Sequence, residues 1–285
     1  MALRTIDQAD GLRAARGDRD AAPRVPVRRP GPRAPHSIAV TSGKGGVGKT
    51  QLAANIAVSL ARRGLSVVLF DADLGLASLD LALGLSPEWD LRSVFEGDKR
   101  IEEILVEGPM GVTLLPACPG RYEMANLGPA ERNAIANAVD EVARGFDVLV
   151  IDTGAGIGGN AVSFASAADD VLLVTTPDPT SVRDAYAMAK VLNRRSGLER
   201  IHLVANQVCS EAEGLELHGC LQAIVRRFLT LELDYLGCVP SDDSVRHAVV
   251  ARVPFLLRTP DSLAARATDA LVRRLEPHAP AEEPS

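Results

Sequence analysis

The sequence has few aromatic residues and no long apolar run. Aromatic side chains make up 4% of the 285 residues and hydrophobic residues 46%, so a core must be built mainly from aliphatic side chains. That composition suits a parallel sheet buried on both faces. No run reaches the ~20 apolar residues that cross a bilayer, and the N-terminus lacks the apolar segment of a secretion signal. We therefore expect a cytoplasmic protein, with a peripheral location at the membrane or cell pole as the alternative.

Cysteine is scarce as well, and no two cysteines are spaced as a pair. The four are Cys118, Cys209, Cys220 and Cys238, and none forms a C-x-x-C motif. This spacing signals neither a zinc site nor a redox motif. The expectation is that all four are small buried thiols in a reducing compartment.

Positive charge is concentrated at the N-terminus. Residues 1–36 carry eight Arg against four Asp, a net +4, which leaves −10 for the remainder of a chain whose total is −6. An acidic body argues against broad electrostatic binding to nucleic acid. Specific nucleic-acid binding is therefore not expected.

The chain divides into an arm, a linker, a body and a tail. Residues 1–16 are predicted to form a short helix, because Thr5 and Gln8 fit a capping box. Residues 17–36 contain five Pro and read as a flexible linker. Residues 37–275 are predicted to form one domain, and residues 276–285 a frayed tail.

Short β-branched runs alternate with longer Ala- and Leu-rich stretches throughout the body. Strands are predicted at 38–41, 66–71, 112–116, 146–152, 171–176, 201–206, 234–239 and 254–257. Helices are predicted at 48–63, 129–144, 159–168, 180–196, 215–229, 241–250 and 261–275. This alternation predicts an α/β fold with right-handed crossovers, doubly wound around a mostly parallel sheet of about seven or eight strands.

A phosphate-binding loop follows the first predicted strand. Residues 43–50 read GKGGVGKT, which fits G-x-x-x-x-G-K-[ST] between a strand and a helix. In such a loop the backbone N–H groups converge on phosphates, Lys49 reaches the β- and γ-phosphates and the Thr50 hydroxyl binds Mg²⁺. The predicted nucleotide-binding residues here are Gly43, Lys44, Gly45, Gly46, Val47, Gly48, Lys49, Thr50 and Gln51.

Three aspartates stand at the carboxyl ends of predicted strands, where ligands bind in open α/β sheets. Asp71 and Asp73 end the second strand, and Asp152 ends the fourth. Asp152 follows an apolar run, as in a Walker B strand, and its oxygens suit a hydrated Mg²⁺. For Asp71, a role near the metal and a role as a helix-capping residue remain equally open.

Lys44 is not required by the phosphate-loop pattern. The motif KGGVGKT, which includes it, resembles the deviant Walker A motif of the MinD/ParA family of ATPases, which belongs to the SIMIBI class. The resemblance implies that Lys44 contacts ATP across a face-to-face homodimer. It also implies that Asp73 positions the attacking water and, with Thr50 and Asp152, belongs to the metal site. The alternative for Lys44 is a solvated lysine in a loop.

Two later positions match places where MinD/ParA proteins contact adenine. These are Asn206 and Pro240, each at the end of a predicted strand. No N-K-x-D guanine signature follows Asn206, so ATP is preferred over GTP as the nucleotide. A simple turn role for Asn206 is the alternative.

Two motifs resemble the flagellar branch of the family, called FlhG, FleN or YlxH. One is DTGAG at 152–156, and the other is DQADGLR at 7–13, matched by Asp7, Gln8, Ala9, Leu12 and Arg13. In that branch the N-terminal segment stimulates the GTPase FlhF. The resemblance implies a FlhF-like GTPase partner, with a flagellar transcription activator or C-ring protein as further candidates. A helix without a partner remains the alternative.

The resemblance implies an ATP-dependent dimerising switch with slow hydrolysis. The sequence shows neither an arginine finger nor a water-positioning Gln near the motifs. Three rivals stay open: a ParA/MinD-type partitioning or division-site ATPase, an iron–sulfur scaffold, and a metabolic ligase. The last predicted helix, 261–275, has an apolar stripe but no basic or aromatic anchor after it, which argues against membrane binding.

Overall fold

Strands and helices alternate along the body of the chain. The computed structural model describes residues 34–275, apart from positions 119 and 121. The strands are β1 (His36–Ser42), β2 (Val67–Ala72), β3 (Val106–Glu107), β4 (Thr113–Leu115), β5 (Val148–Ala155), β6 (Asp170–Thr175), β7 (Arg200–Val208) and β8 (Glu232–Pro240). The first helices are α1 (Lys49–Arg62), α2 (Leu79–Leu83), α3 (Leu91–Phe95), α4 (Tyr122–Ala125), α5 (Pro129–Ala143) and α6 (Gly159–Ser166). The remaining helices are α7 (Pro179–Ser196), α8 (Glu211–Phe228), α9 (Asp243–Ala251), α10 (Phe255–Arg258) and α11 (Leu263–Leu275).

The eight strands form one sheet in the order β3-β4-β2-β5-β1-β6-β7-β8. All neighbouring strands pair in parallel except β3 and β4, which pair antiparallel. The order reverses at β1, so the loops after β1, β2 and β5 meet at one edge of the sheet. That edge is where a ligand binds in a doubly wound fold.

Aliphatic side chains cover the sheet on both faces, as the composition predicts. All six residues of β2 are buried, which is the burial expected of a central parallel strand. One apolar cluster includes residues of α5 to α8, and the other includes residues of α1, α2, α10 and α11. The edge-on pair of Phe70 and Phe164, with ring centroids 5.5 Å apart, is a rare aromatic contact in this core.

The segment predicted as a strand at 254–257 is instead the short helix α10, so that prediction was wrong. Phe255 and Leu256 are buried, and the Leu256 backbone N–H donates to Asn55 Oδ1 at 2.9 Å. A four-residue apolar run fits a buried helix turn as well as a strand. The eighth strand is β3, whose two residues are too few to show any periodicity.

The later part of the apolar stripe of the last predicted helix faces the core, whereas Leu263 at its start is 56% exposed. Leu271 and Leu275 of α11 are 1% and 6% exposed, which leaves them unavailable at the surface. Within residues 34–275, no helix has the length and apolarity to span a bilayer. The cysteines divide evenly: Cys118 and Cys238 are buried as expected, but Cys209 and Cys220 are exposed, contrary to expectation.

The arm and the tail lie outside the described residues. This applies to the predicted helix at 1–16, with its five DQADGLR positions, to residues 17–33 of the predicted linker and to residues 276–285. Strand β1 begins at His36, the last residue assigned to the linker.

An Asp170→Asn substitution is expected to lower the melting temperature more near about pH 5.5 than near about pH 8.5. Asp170 lies 2.8 Å from His36 Nε2 and 3.1 Å from His202 Nε2. Hydrogen bonds from His202 and His36 lower the pKa of Asp170 from 3.8, and the hydrogen bond to Asp170 raises the pKa of His36 from 6.5.

The two shifts set the pH window of this contribution. The share due to His36 is complete below its ordinary pKa and disappears as the pH rises through the raised value. The share due to Asp170 is complete above its ordinary pKa and disappears as the pH falls through the lowered value. In between, these groups, whose side chains are 26% and 25% exposed, contribute about 1 kcal/mol, or ~2–4 °C in Tm for a chain of this size. Thermal melts that show equal losses at both pH values would contradict this.

Candidate nucleotide site

The phosphate loop connects the end of β1 to the start of α1. The Ser42 hydroxyl donates to the Lys44 carbonyl at 2.7 Å, and the Gly156 N–H donates to the Ser42 carbonyl at 2.9 Å. Gly46 and Gly48 adopt φ values of 78° and 91°, which favour glycine. The loop therefore turns sharply onto the N-terminus of a 14-residue helix, an arrangement suited to anions.

Gly43, the first residue of this loop, lies directly against the backbone of α7. A Cβ atom at that position would lie 1.9 Å from the Asp184 carbonyl oxygen in α7. No side chain fits without displacing backbone. The loop is thus held between the sheet below and α7 beside it.

Lys49 and Asp152 are buried charged residues next to the phosphate loop. Lys49 is 7% and Asp152 1% exposed. Burial raises the pKa of Asp152 to about 6, although the Lys49 charge and a hydrogen bond from Thr50 act in the opposite direction. Asp152 Oδ1 has no hydrogen-bond partner among the described residues. A buried carboxylate oxygen without a partner, next to the Thr50 hydroxyl, is a donor set that fits Mg²⁺.

The Asp71 carboxylate accepts hydrogen bonds from backbone N–H groups. Asp71 pairs in register with Asp152 across β2 and β5. Its Oδ2 accepts hydrogen bonds from the N–H groups of Ser78 and Leu79, both at 3.0 Å. Burial and the nearby Asp152 raise its pKa to about 7. The structure thus places the Asp71 carboxylate, which projects from β2, at the N-terminus of α2, where it has the backbone-binding role of the capping alternative.

Asp73 lies beside the loop that follows Asp152. A Cβ on Gly154 would lie 3.4 Å from Asp73 Oδ1, so the two loops are in contact. We call residues 73–78 the first switch segment and residues 154–159 the second switch segment. The two carboxylates predicted from separate strands, Asp73 and Asp152, meet at the same edge as the phosphate loop.

Lys44 is held within its own subunit. Its amine donates to Thr180 Oγ1 at 2.6 Å and to Asp178 Oδ1 at 3.3 Å. Its side chain remains 39% exposed. A cross-subunit role for this amine requires that it leave both partners.

Beside the loop is a cavity of about 350 Å³. It is lined by Gln51, Asn206 and Pro240, the residues predicted to bind nucleotide away from the phosphates, and by Gly48. The sequence did not single out the other lining residues, which include Gln207, Arg246, Val249 and Phe255. The only signals for these four were closeness in sequence to Asn206 and Pro240 and, for Phe255, a run misread as a strand.

Asn206 supports the phosphate loop directly. Its Nδ2 donates to the Val47 carbonyl at 2.6 Å, and the side chain is 7% exposed. A Cβ on Gly48 would lie 2.5 Å from the same nitrogen. At least one amide hydrogen is therefore used by the loop.

An Asn206→Ala substitution is expected to weaken ATP binding about 10-fold, because removal of one buried hydrogen bond costs about 1–2 kcal/mol. Titration with ATP and GTP separates two roles. If Asn206 only supports the loop, the affinities for ATP and GTP fall by the same factor. If its amide also contacts the adenine base, the affinity for ATP falls by a larger factor than the affinity for GTP. An unchanged ATP affinity would show that Asn206 has neither role.

Comparison with known proteins decides the family. Residues 33–276 match the ParA family model, described as NUBPL iron-transfer P-loop NTPase. The chain belongs to the ParA family of P-loop NTPases. No three His, Cys, Asp or Glu side chains of this ParA-family protein cluster as a metal site in the part of the chain that the structure describes.

Relatives and a solved structure agree with this assignment. The chain is 44% identical to the antiactivator FleN of Pseudomonas aeruginosa, with 84% of this chain and 85% of that protein covered. It is 36% identical to the flagellum site-determining protein YlxH of Helicobacter pylori, with 84% and 82% covered. The septum site-determining protein MinD of Pyrococcus horikoshii, complexed with Mg-ADP, superposes with a TM-score of 0.70 at 25% identity, covering 85% of this chain and 96% of that one. The MinD/ParA resemblance, its flagellar branch and the doubly wound fold are confirmed.

Proposed function

We propose that this ParA-family protein is an ATP-dependent dimerising switch with slow hydrolysis, which controls the number or placement of flagella. One observation carries the proposal: the phosphate loop with its additional Lys44 lies at the same sheet edge as Asp73 and Asp152. The similarity to FleN and YlxH supplies the flagellar context.

The chain's own residues suit ATP hydrolysis. The backbone N–H groups of the loop and the buried Lys49 bind the phosphates, and Asn206, Gln51 and Pro240 line the space for the rest of the nucleotide. Thr50, Asp152 and Asp73 would hold Mg²⁺, which neutralises charge on the phosphates when bound. Asp73, at the contact between the switch segments, orients the attacking water.

Apolar side chains on both switch segments support dimer formation at this edge. Leu76 in the first is 77% exposed and Ile157 in the second is 52% exposed. Both segments follow strand ends at the nucleotide edge, so a second subunit closing there buries them together with the nucleotide. Loss of the γ-phosphate releases the segments and the dimer.

The dimer is tested by light scattering with the full chain. With Mg²⁺ and a non-hydrolysable ATP analogue we expect a mass of about twice 30.1 kDa, and with ADP a monomer. Single subunits in both states would overturn the switch.

The partner is proposed to be a FlhF-like GTPase bound by the segment at 7–13. Deletion of residues 1–16 is expected to abolish stimulation of that GTPase while ATP turnover stays unchanged. Leu12→Ala should act in the same direction, because Leu12 is one of the matched positions. Asp10→Ala, at an unmatched position of the same segment, is the control. Stimulation that survives the deletion would contradict this role.

Partitioning or division-site positioning is the second candidate, favoured by the likeness to MinD. It shares the nucleotide site with the first. Pelleting with non-specific DNA or with liposomes separates the two, because a flagellar switch acting through a GTPase needs neither surface for its activity.

A further inference from the structure

A short stretch after β4 touches the first switch segment and Asn160, the residue that follows the second switch segment. We call Gly120 and residues 122–128 the bridging segment; it includes α4. Met124 and Leu127 bury their side chains in the core, at 9% and 7% exposure. The bridging segment is therefore anchored to the body, although α4 has only four residues.

Its first contact is with the first switch segment. The Gly120 N–H donates to the Gly75 carbonyl at 3.0 Å. A Cβ on Gly75 would lie 2.9 Å from the Ala125 Cβ, so the backbone of the switch lies directly against α4. A movement of either one displaces the other.

Its second contact is with the residue that follows the second switch segment. Asn160, in the first turn of α6, donates through Nδ2 to the Met124 carbonyl at 2.9 Å and to the Ala125 carbonyl at 3.2 Å. Both acceptors are in the last turn of α4, where helical carbonyls have no partner within the helix. The side chain that joins α6 to α4 must therefore be a donor with two hydrogens on one nitrogen.

A second side chain, that of Arg132, connects the bridging segment to α6 next to Asn160. Arg132 Nη1 donates to the Leu127 carbonyl, and a Cβ on Gly159 would lie 2.9 Å from the same nitrogen. The guanidinium thus fills the space between the end of the bridging segment and the start of α6. Glycine at 159 permits this approach.

We propose that the bridging segment couples the two switch segments and that Asn160 is the positioning residue of that coupling. Ala125 touches Gly75 on one side and accepts from Asn160 on the other. A shift of the second switch segment on nucleotide binding therefore passes through Asn160 and α4 to Gly75, two residues from Asp73. This inference rests on the proposed function in so far as the shift is driven by ATP.

The chain offers a matched control for Asn160. Asn193, near the end of α7, also donates through Nδ2 to two backbone carbonyls, those of Leu198 at 2.8 Å and Thr230 at 3.1 Å. These acceptors lie at the opposite edge of the sheet from the phosphate loop. Asn160→Ala and Asn193→Ala remove the same kind of contact, and only the first touches the switches.

The decisive measurement is hydrogen exchange of residues 73–79 and 154–160, with and without Mg²⁺ and a non-hydrolysable ATP analogue. In the wild type and in Asn193→Ala we expect the nucleotide to slow exchange in both stretches. In Asn160→Ala the slowing at 154–160 should persist, while that at 73–79 falls at least about five-fold. Affinity for a fluorescent ATP analogue should stay within about two-fold, and kcat should fall about ten-fold, because only the placement of Asp73 changes.

Three results would overturn the coupling. The nucleotide could protect 73–79 in Asn160→Ala as it does in the wild type, Asn193→Ala could lose that protection equally, or Asn160→Ala could lose affinity and kcat together. Gly75→Ala, which pushes on α4 from the other side, should lose the same protection and serves if Asn160→Ala does not fold. The readout needs no dimer, so a wild type that fails to dimerise would end the proposed function and leave this test intact.

Discussion

An Asp73→Ala variant is expected to bind ATP, dimerise and then accumulate in that state, with turnover lowered about 100-fold or more. A side chain that positions or activates a reacting water contributes typically about 10²–10⁴ in rate. Binding of the ATP phosphates does not depend on Asp73, because Lys49 and the backbone N–H groups of the loop provide it. Light scattering with ATP and Mg²⁺ should therefore show a dimer that persists after the wild-type dimer has decayed.

The neighbouring Asp80 provides the control for this variant. It lies on α2, where its Oδ1 accepts from the Leu81 N–H at 2.7 Å, so its replacement tests the loss of a nearby negative charge alone. Asp80→Ala should turn over ATP as the wild type does. Wild-type turnover in Asp73→Ala would remove Asp73 from the mechanism, and equal losses in both variants would reassign the effect to local charge.

A Lys44→Ala variant is expected to retain ATP binding within about three-fold but to stay monomeric. The amine of Lys44 is held by Thr180 and Asp178 of its own subunit in an exposed contact. Exposed ion pairs contribute little to stability, about 0–1 kcal/mol. Release of the amine toward a partner's nucleotide therefore costs little, whereas its loss leaves charge on the partner's phosphates uncompensated.

Lys190→Ala, on the same helix as Thr180 but not in the loop, is the matched control for a lost lysine. It should dimerise with ATP as the wild type does. An ATP dimer of normal affinity in Lys44→Ala would refute the cross-subunit role. A loss of ATP binding in that variant would instead make Lys44 a residue of its own subunit's phosphate site.

The sequence was sufficient for the architecture because the signals concerned are local. Alternating β-branched and Ala-rich stretches, each long enough to show its period, predicted seven of the eight strands and the long helices between them, but not the five-residue helices α2 and α3. The phosphate loop could also be predicted, because the spacing of its glycines and Lys49 is typical of a single turn between a strand and a helix. The meeting of Asp73 with the residues after Asp152 followed from strand ends sharing one edge.

What the sequence missed depends on contacts between distant positions. The hydrogen bond between Lys44 and Thr180 joins positions 136 residues apart, and that between Asn206 and Val47 joins positions 159 apart. No local sequence pattern predicts either hydrogen bond. The four-residue helix α4 is too short to show a period. Asp71 was undecided from sequence, because a carboxylate facing a metal and one facing backbone N–H groups occupy the same place in a motif.

The two margins of the sheet restrict how copies of this protein can associate. At one margin, β3 offers two residues, too few for another strand to pair with. At the other, β8 contains a register shift near Gly237 and ends in Pro240, which has no N–H to donate. Short, irregular or proline-containing margins discourage strand-by-strand growth between molecules. Sideways stacking into fibres is therefore disfavoured, and the proposed association of two copies at the nucleotide edge needs no pairing between sheet margins.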